Sequence, residues 1–144
     1  MTGIFTWNDE YSIGHETIDA QHARLFELAN AVLAIENASQ HAERIKEAVR
    51  SLYQYVEIHF NHEEALMRIV GYPELNHHAE LHKQLIEKMN TLLLMSKTFD
   101  EFVPALQKHM SDWVLRHIIE QDQMIGAYMR SLHQSDMNAE THVK

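Results

Sequence analysis

The chain has 144 residues, of which 45 % are hydrophobic, and a formal net charge of −9 at pH 7. This length and apolar content suit one domain with its own core, and the negative charge argues against binding to nucleic acid or anionic membranes. The absence of cysteine excludes disulfides, thiolate metal sites and cysteine nucleophiles. We expect a cytoplasmic protein, because no apolar run approaches the ~18 residues of a membrane span and the first residues do not resemble a secretory signal.

The spacing of apolar residues is helical through most of the chain. Only four Gly and two Pro interrupt it, and the stretches between them repeat every three or four residues without strand-like alternation. This pattern predicts an all-α domain that occupies the whole chain. In chain order, we predict an N-terminal arm and four helices, at about 1–17, 18–37, 40–70, 73–95 and 98–132.

Turn-forming residues mark the first boundaries between these elements. The arm mixes aromatic and turn-forming residues, and we expect Phe5, Trp7 and Tyr11 to pack on the helices. Gly71 and Pro73 separate the second helix from the third, because glycine suits the left-handed cap and proline suits the start of a helix.

The fourth helix carries its own start signals. Thr98 and Glu101 have the spacing of a capping box, and Pro104 is expected to kink the helix or to mark its true start. Residues 133–144 have no apolar stripe and are expected to fray. Four helices with short connections predict an up-down-up-down four-helix bundle over residues 18–132.

Histidine interrupts the buried stripe of every predicted helix, whereas no lysine or arginine does. The polar residues within the four stripes are His22, His59, Glu63, His78, His82 and His117. Side chains at i and i+4 lie about 40° apart on a helix and can reach one point. Buried imidazoles without partners cost a few kcal/mol each. The sequence therefore predicts a buried cation held by nitrogen and oxygen ligands.

A simpler interpretation applies to each of these residues alone. A single histidine on an apolar face is more often a hydrogen-bonded core residue than a ligand, and His59 with Glu63 could form an ordinary pair. The other histidines lie off the stripes or in the arm and tail, and we assign them to the surface: His15, His41, His62, His77, His109, His133 and His142.

Five sequence elements match a known family: Trp7, SIGHETIDAQH, HFNHEE, YPELNHHAELH and WVLRHIIEQD. With these elements, residues 7–130 resemble the hemerythrins, in particular the single-domain bacterial hemerythrins. The resemblance implies two iron ions (Fe2+/Fe3+) joined by an oxo or hydroxo bridge. It further implies that one iron is held by His22 and His59, the other by His78, His82 and His117, and that both are bridged by Glu63 and Asp122.

Asp122 is implied by the resemblance and not by the stripe. It follows His117 by five residues, an offset of about 140° on a regular helix, so that Glu120 is the better-placed carboxylate. A π-bulge between His117 and Asp122 would bring the two onto one side, and we state this as a hypothesis. The alternative is that a site with two bridged metals tolerates the offset.

Counting ligands predicts the function. Two six-coordinate ions that share one solvent oxygen and two carboxylates leave six terminal positions, of which the five histidines fill five. The open position lies on the ion held by His22 and His59, and such a site suits a small diatomic molecule. We predict reversible dioxygen binding, for oxygen transport, storage or delivery, without catalytic residues. Candidates for the apolar lining are Leu25, Leu66, Trp113 and Ile118.

Two other functions remain open. One is an oxygen or redox sensor that acts through a separate partner. The other is a di-iron oxidase or peroxidase, or an enzyme that handles nitric oxide or peroxide, although such sites are typically richer in carboxylates. We expect a monomer that is not an enzyme and that can pass oxygen to a partner protein which the sequence does not identify.

Overall fold

The computed structural model describes residues 6–37 and 40–142, with the side chains of all of these except 113, 114 and 134–142. After a short 3-10 helix at Asp9–Tyr11, the helices are α1 (Glu16–Leu33), α2 (Ala42–Val70), α3 (Leu75–Met95), α4 (Phe99–His109), a π-helical turn (Met110–Val114) and α5 (Leu115–His142). The last three elements follow one another without a break and form the fourth helix. The predicted all-α bundle is confirmed, and no strand occurs among the described residues.

Local interactions explain where the helices begin and end. His15 caps α1, because its Nδ1 accepts the amide hydrogen of Ile18 over 3.2 Å. Gly71 ends α2 in the left-handed conformation with φ of 67°, as its position in the sequence predicted. Thr98 caps α4 by accepting the amide of Glu101. These caps satisfy backbone groups that a helix end otherwise leaves unpaired.

The fourth helix differs from the prediction in two ways. It does not start at Pro104, because α4 begins at Phe99 and continues to His109. It also continues to His142, well past the predicted end near Leu132, so that residues 133–142 are helical and not irregular. The predicted starts of the second and third helices are two residues early, because α2 begins at Ala42 and α3 at Leu75.

The core consists of two apolar clusters at different levels of the bundle. The larger cluster takes residues from all four helices, among them Leu25, Leu52, Leu85 and Leu106. The smaller cluster contains Ile13, Ile18, Met67, Tyr72 and Ile125. Along each helix, a histidine (α1 and α3) or a carboxylate (Glu63 and Asp122) separates the residues of one cluster from those of the other. The bundle therefore encloses a polar layer between two apolar layers.

The N-terminal arm packs against the fourth helix and α1. Gln123 of α5 donates hydrogen bonds to the backbone oxygens of Tyr11 and Ser12. A Cβ atom on Gly126 would lie 2.9 Å from the Cα of Ile13, so this close contact depends on the absence of a side chain. Trp7 and Tyr11 pack against the larger cluster, as predicted, whereas Phe5 lies outside the described residues.

No helix in the described part of the chain has both the length and the apolarity that a membrane crossing requires.

Candidate metal centre

The seven residues expected to hold metal meet in the polar layer. All are buried, with exposures of 0 % for four of them and at most 6 % for the others. The set is His22 of α1, His59 and Glu63 of α2, His78 and His82 of α3, and His117 and Asp122 of α5. Every histidine presents its Nε2 to this centre.

Glu63 lies between two sets of histidines, and each of its oxygens faces one set. Its Oε2 lies 3.1 Å from His22 Nε2 and 3.4 Å from His59 Nε2. Its Oε1 lies 3.0 Å from the Nε2 atoms of both His78 and His82. A carboxylate in this position can bind two cations, one with each oxygen.

Asp122 of α5 is placed in the same way, with each of its oxygens near a different set of histidines. Its Oδ2 lies 3.0 Å from His22 Nε2, whereas its Oδ1 lies 2.9 Å from His78 Nε2 and 3.1 Å from His117 Nε2. The ligand-type atoms accordingly form two overlapping groups, each within 4.8 Å, that share the two carboxylates. One group adds His22 and His59, and the other adds His78, His82 and His117.

The π-helical turn explains why Asp122 faces the centre. In this turn the amide of Leu115 bonds to the carbonyl of Met110, five residues earlier, which adds one residue to the helical turn. The buried line therefore continues through Leu115, Ile118, Asp122 and Ile125, whereas Glu120 is exposed. The hypothesis of a bulge between His117 and Asp122 is wrong, because residues 115–126 are regular α-helix.

The two carboxylates control the charge of the centre. Burial raises the pKa of Glu63, but the close approach of four imidazoles outweighs burial and holds that pKa well below its ordinary range. Burial likewise raises the pKa of Asp122, but the nearby His117 and His22 bring its net pKa below the usual value. Both groups are thus carboxylates at neutral pH.

The imidazoles respond in different ways. Burial lowers the pKa of His22 and of His78, but contacts with Asp122 and Glu63 outweigh burial and raise each pKa to about 9. Burial dominates at His59, whose pKa is lowered. Without metal, protons on imidazole therefore balance the two buried carboxylates.

The residues fit a bound cation. Five buried ligand-type atoms at the centre have no hydrogen-bond partner, namely the Nε2 atoms of His59 and His82, both oxygens of Asp122, and the Nδ1 of His22 behind its ring. Imidazole nitrogens lie close to the oxygens of Asp122 but are not aligned with them as hydrogen-bond donors. No lysine or arginine is buried among the described side chains, so no fixed positive charge competes with a metal. Imidazole and carboxylate donors without thiolate suit iron.

Two residues behind the centre were not predicted from the sequence. Gln21 of α1 accepts the Nδ1 hydrogen of His59 over 2.8 Å, and Glu64 of α2 accepts that of His82 over 3.0 Å. Gln21 could have been found, because a step of three from Ile18 reaches it and places it beside the stripe. The position of Glu64 gave no such signal, since its partner comes from another helix.

The remaining histidines mostly lie where the sequence placed them. His41, His62, His77 and His133 are exposed and His15 is half-buried, whereas the side chain of His142 lies outside the described ones. His109 is an exception, since it is 4 % exposed and its Nε2 lies 3.1 Å from the backbone oxygen of Leu85. Its assignment to the surface was wrong, because it follows Leu106 by three residues on regular α-helix and shares the buried face of α4.

Aromatic and aliphatic side chains enclose the centre. The ring of Phe60 stacks on the ring of His82, with 3.8 Å between the ring centroids. The ring of Trp7 in the arm lies 6.2 Å from the ring of His22, also measured between centroids. Of the predicted lining residues, Leu25 and Ile118 are fully buried, and Leu66 is partly buried beside the smaller cluster. The side chain of Trp113 is outside the described ones.

The bundle and its centre define a class of protein, namely a four-helix bundle with a buried histidine and carboxylate cluster able to hold metal. A family model described as the hemerythrin HHE cation binding domain matches residues 13–128. The chain belongs to the hemerythrin family. Membership implies binding of non-haem iron and agrees with the expectation that the protein is not an enzyme.

Individual relatives cover most of the chain. A bacteriohemerythrin of Clostridium acetobutylicum is 29 % identical over 124 residues, which are 83 % of this chain and 96 % of that protein. A bacteriohemerythrin of Campylobacter jejuni is 27 % identical over 125 residues, with 85 % and 94 % covered. One from Stenotrophomonas maltophilia is 29 % identical over 120 residues, with 83 % and 78 % covered.

Proposed function

We propose that this protein binds dioxygen reversibly at a pair of iron ions and serves in oxygen transport, storage or delivery. The main support is the position of the two carboxylates. In both Glu63 and Asp122, one carboxylate oxygen faces one set of histidines and the other oxygen faces the other set. A site for one ion would not need this arrangement, whereas two ions share carboxylates in this way.

The proposed ligands follow from the two groups of atoms. His22 and His59 would hold one iron, and His78, His82 and His117 the other, with Glu63 and Asp122 shared. When bound and reduced, the iron pair supplies the electrons that make dioxygen binding reversible. The side with two histidines has one imidazole fewer, and we assign dioxygen binding to that side.

The chain contributes the surroundings of the site. Leu25 and Ile118 are fully buried, and Phe60 is 1 % exposed. The centre is therefore surrounded by apolar side chains that exclude water. A dry and apolar surrounding disfavours the loss of charged oxygen species and the entry of solvent protons. These residues would thereby favour release of neutral dioxygen over irreversible oxidation.

Metal analysis and visible spectroscopy on one sample test this proposal. The desalted protein is expected to contain about two irons per chain. The dithionite-reduced form should be nearly colourless, develop a visible absorption band in air and lose it under argon. A band that appears once and does not reverse would contradict reversible binding, and protein without iron would contradict the metal assignment.

A sensor is the second candidate, and one contact favours it. Trp7 of the arm lies next to His22, on the side assigned to dioxygen, so binding there could alter the position of the arm. In that case, dioxygen should change the rate at which a protease cuts residues 6–15 of the reduced protein. An equal cutting rate with and without dioxygen would favour the carrier.

Two further expectations belong to the same proposal. A monomer in solution and a cytoplasmic location would both suit a small oxygen carrier, and the absence of cysteine fits a reducing compartment. Light scattering of the purified protein and fractionation of the source cells test these two points.

A further inference from the structure

Two ligand histidines have hydrogen-bond acceptors behind them, and the two acceptors differ in charge. The Nδ1–H of His82 donates to the carboxylate of Glu64 over 3.0 Å. The Nδ1–H of His59 donates to the amide oxygen of Gln21 over 2.8 Å. In both cases the acceptor holds the ring so that Nε2 faces the centre.

The orientation of Gln21 is fixed by a second contact. Its Nε2 lies 2.6 Å from Nδ1 of the exposed His62, so its oxygen is directed toward His59. Glu64 is held differently, because its side chain is 27 % exposed while His82 is buried. Each acceptor thus has a defined role toward one histidine and one side of the centre.

A carboxylate acceptor changes the donor strength of the histidine more than an amide does. A negative charge on Nδ1–H draws that proton away from the ring and makes Nε2 a stronger donor to a metal. A stronger donor stabilises Fe3+ more than Fe2+, because the ion with the higher charge gains more from added electron density. The amide oxygen of Gln21 orients His59 but adds no full charge.

We infer that Glu64 is a positioning residue that makes the iron held by His78, His82 and His117 the harder of the two to reduce. Gln21 leaves the other iron easier to reduce. In a bound diferric pair, one electron from dithionite would then reduce the iron on the side of His22 and His59 to Fe2+ and leave the other as Fe3+. This inference rests on the proposed two-iron site.

The matched variants are Glu64→Gln and Glu57→Gln. Gln at position 64 keeps an acceptor for His82 and removes the charge. Glu57 lies two turns earlier on α2 and lines the same groove, so its variant makes an equal change in charge without a described contact to a histidine. Gln21→Glu makes the reverse change behind His59.

Reductive titration of the iron-loaded variants with dithionite, followed by visible and electron paramagnetic resonance spectra, measures both one-electron potentials. We expect Glu64→Gln to weaken the preference of the iron held by His78, His82 and His117 for Fe3+ about tenfold. Its one-electron reduction potential should accordingly rise by about 59 mV. Glu57→Gln should leave the potentials near those of the unchanged protein. Gln21→Glu should lower the potential of the iron held by His22 and His59.

A second measurement does not depend on iron. Nitrogen NMR of the His82 ring in the zinc-loaded protein should show Nδ1–H retained in Glu64→Gln and altered in Glu64→Leu. Equal potentials in Glu64→Gln and Glu57→Gln, with iron retained, would overturn the inference alone. Unchanged protein that binds no iron would overturn the proposed function and this inference together. If Glu64→Gln loses its iron, Gln21→Glu decides, because an unchanged potential in that variant overturns the inference.

Discussion

Glu63 has more contacts within the centre than any other described side chain. Its two oxygens lie within 3.4 Å of His22, His59, His78 and His82, and the residue is fully buried. Replacing it would remove the negative charge that lies beside four imidazoles at once. Removing one partner of a buried charged group commonly costs about 3–5 kcal/mol.

The first prediction follows from this position. Glu63→Ala should reduce the iron content from about two to fewer than one per chain and lower the free energy of unfolding by about 3 kcal/mol. Metal analysis and denaturant unfolding measure the two effects, with Glu57→Ala on the exposed side of α2 as the control. Full iron retention in Glu63→Ala would contradict its bridging role.

The second prediction separates the two acidic residues that follow His117. Asp122→Asn should lose iron, because it removes a charge shared by both sets of histidines. Glu120→Gln should keep its iron, because Glu120 is exposed. Metal analysis of both variants after the same desalting step checks this. Loss of iron from Glu120→Gln would point to the carboxylate that helical spacing alone favoured.

The ligand residues could be predicted to different degrees. His22, His59, Glu63, His78 and His82 interrupt regular apolar stripes, so spacing alone was enough to place them in the core. Asp122 could not be found in this way, because the stripe through the fourth helix assumes regular turns. Gln21 lies beside the stripe of α1, where spacing could have found it, whereas nothing in the spacing of α2 identifies Glu64 as a partner of His82 on another helix.

At the scale of the element, the π-helical turn at Met110–Val114 determines what the rest of the fourth helix presents to the core. An extra residue in one turn shifts every later side chain around the helix axis. Predicting it would need knowledge of which residues are buried on both sides of the turn. Leu106 before it, Met110 at its first position, and Leu115 and Ile118 after it are all fully buried.

The third prediction uses deletions in this helix. Removing Ser111 should convert the π-helical turn into regular α-helix and leave Asp122 facing the centre, so the iron content should not change. Removing Ile119 should rotate Asp122 by about 100° relative to His117 and cause loss of iron. Metal analysis and circular dichroism of both proteins check this. Equal iron loss would show that the added residue is itself needed.

The fourth prediction concerns the packing of α3 on α4. His109 is buried, and burial together with Lys88 lowers its pKa, although a hydrogen bond to Leu85 opposes this. Because the unfolded chain takes up this proton near pH 6.5 and the folded chain does so only at lower pH, this histidine destabilises the fold as pH falls below 6.5. The loss can reach at most about 1.4 kcal/mol per pH unit.

His109→Gln tests this effect, because glutamine can still donate to the oxygen of Leu85 but does not titrate. Denaturant unfolding at pH 7.5 and pH 5.5 should show a smaller loss of stability in the variant than in the unchanged protein. Identical losses in the two proteins would mean that His109 titrates normally.

At the scale of the whole molecule, the bundle was the most predictable feature. Apolar spacing and a few caps were enough to predict four helices, because most of the chain is regular. The end of the last helix was not predictable, since residues 133–142 have no apolar stripe and helical structure there does not depend on one. Of the two roles considered for Pro104, the start of the helix is excluded, because α4 begins five residues earlier at Phe99.

The fifth prediction concerns the charge of the whole centre. Without metal, His22 and His78 hold protons at neutral pH because each pKa is raised to about 9. These protons must leave when a cation takes the same nitrogens. Loading Fe2+ at pH 7 should therefore release about two protons per chain, and metal affinity should rise with pH. Calorimetry in buffers of different ionisation heat counts the protons, and a count of zero would contradict the protonated state.

The contact between Ile13 and Gly126 has a consequence for how the protein is made. The arm is synthesised before its binding surface on α5, which comes more than 100 residues later. Asp122 lies one turn before Gly126 and is the second of the two carboxylates at the centre. A chain still on the ribosome therefore contains four of the histidines long before His117 and Asp122 are synthesised. A metal ion bound at that stage would be open to water. The surface that binds the arm and the second carboxylate of the centre are therefore synthesised close together, after these four histidines.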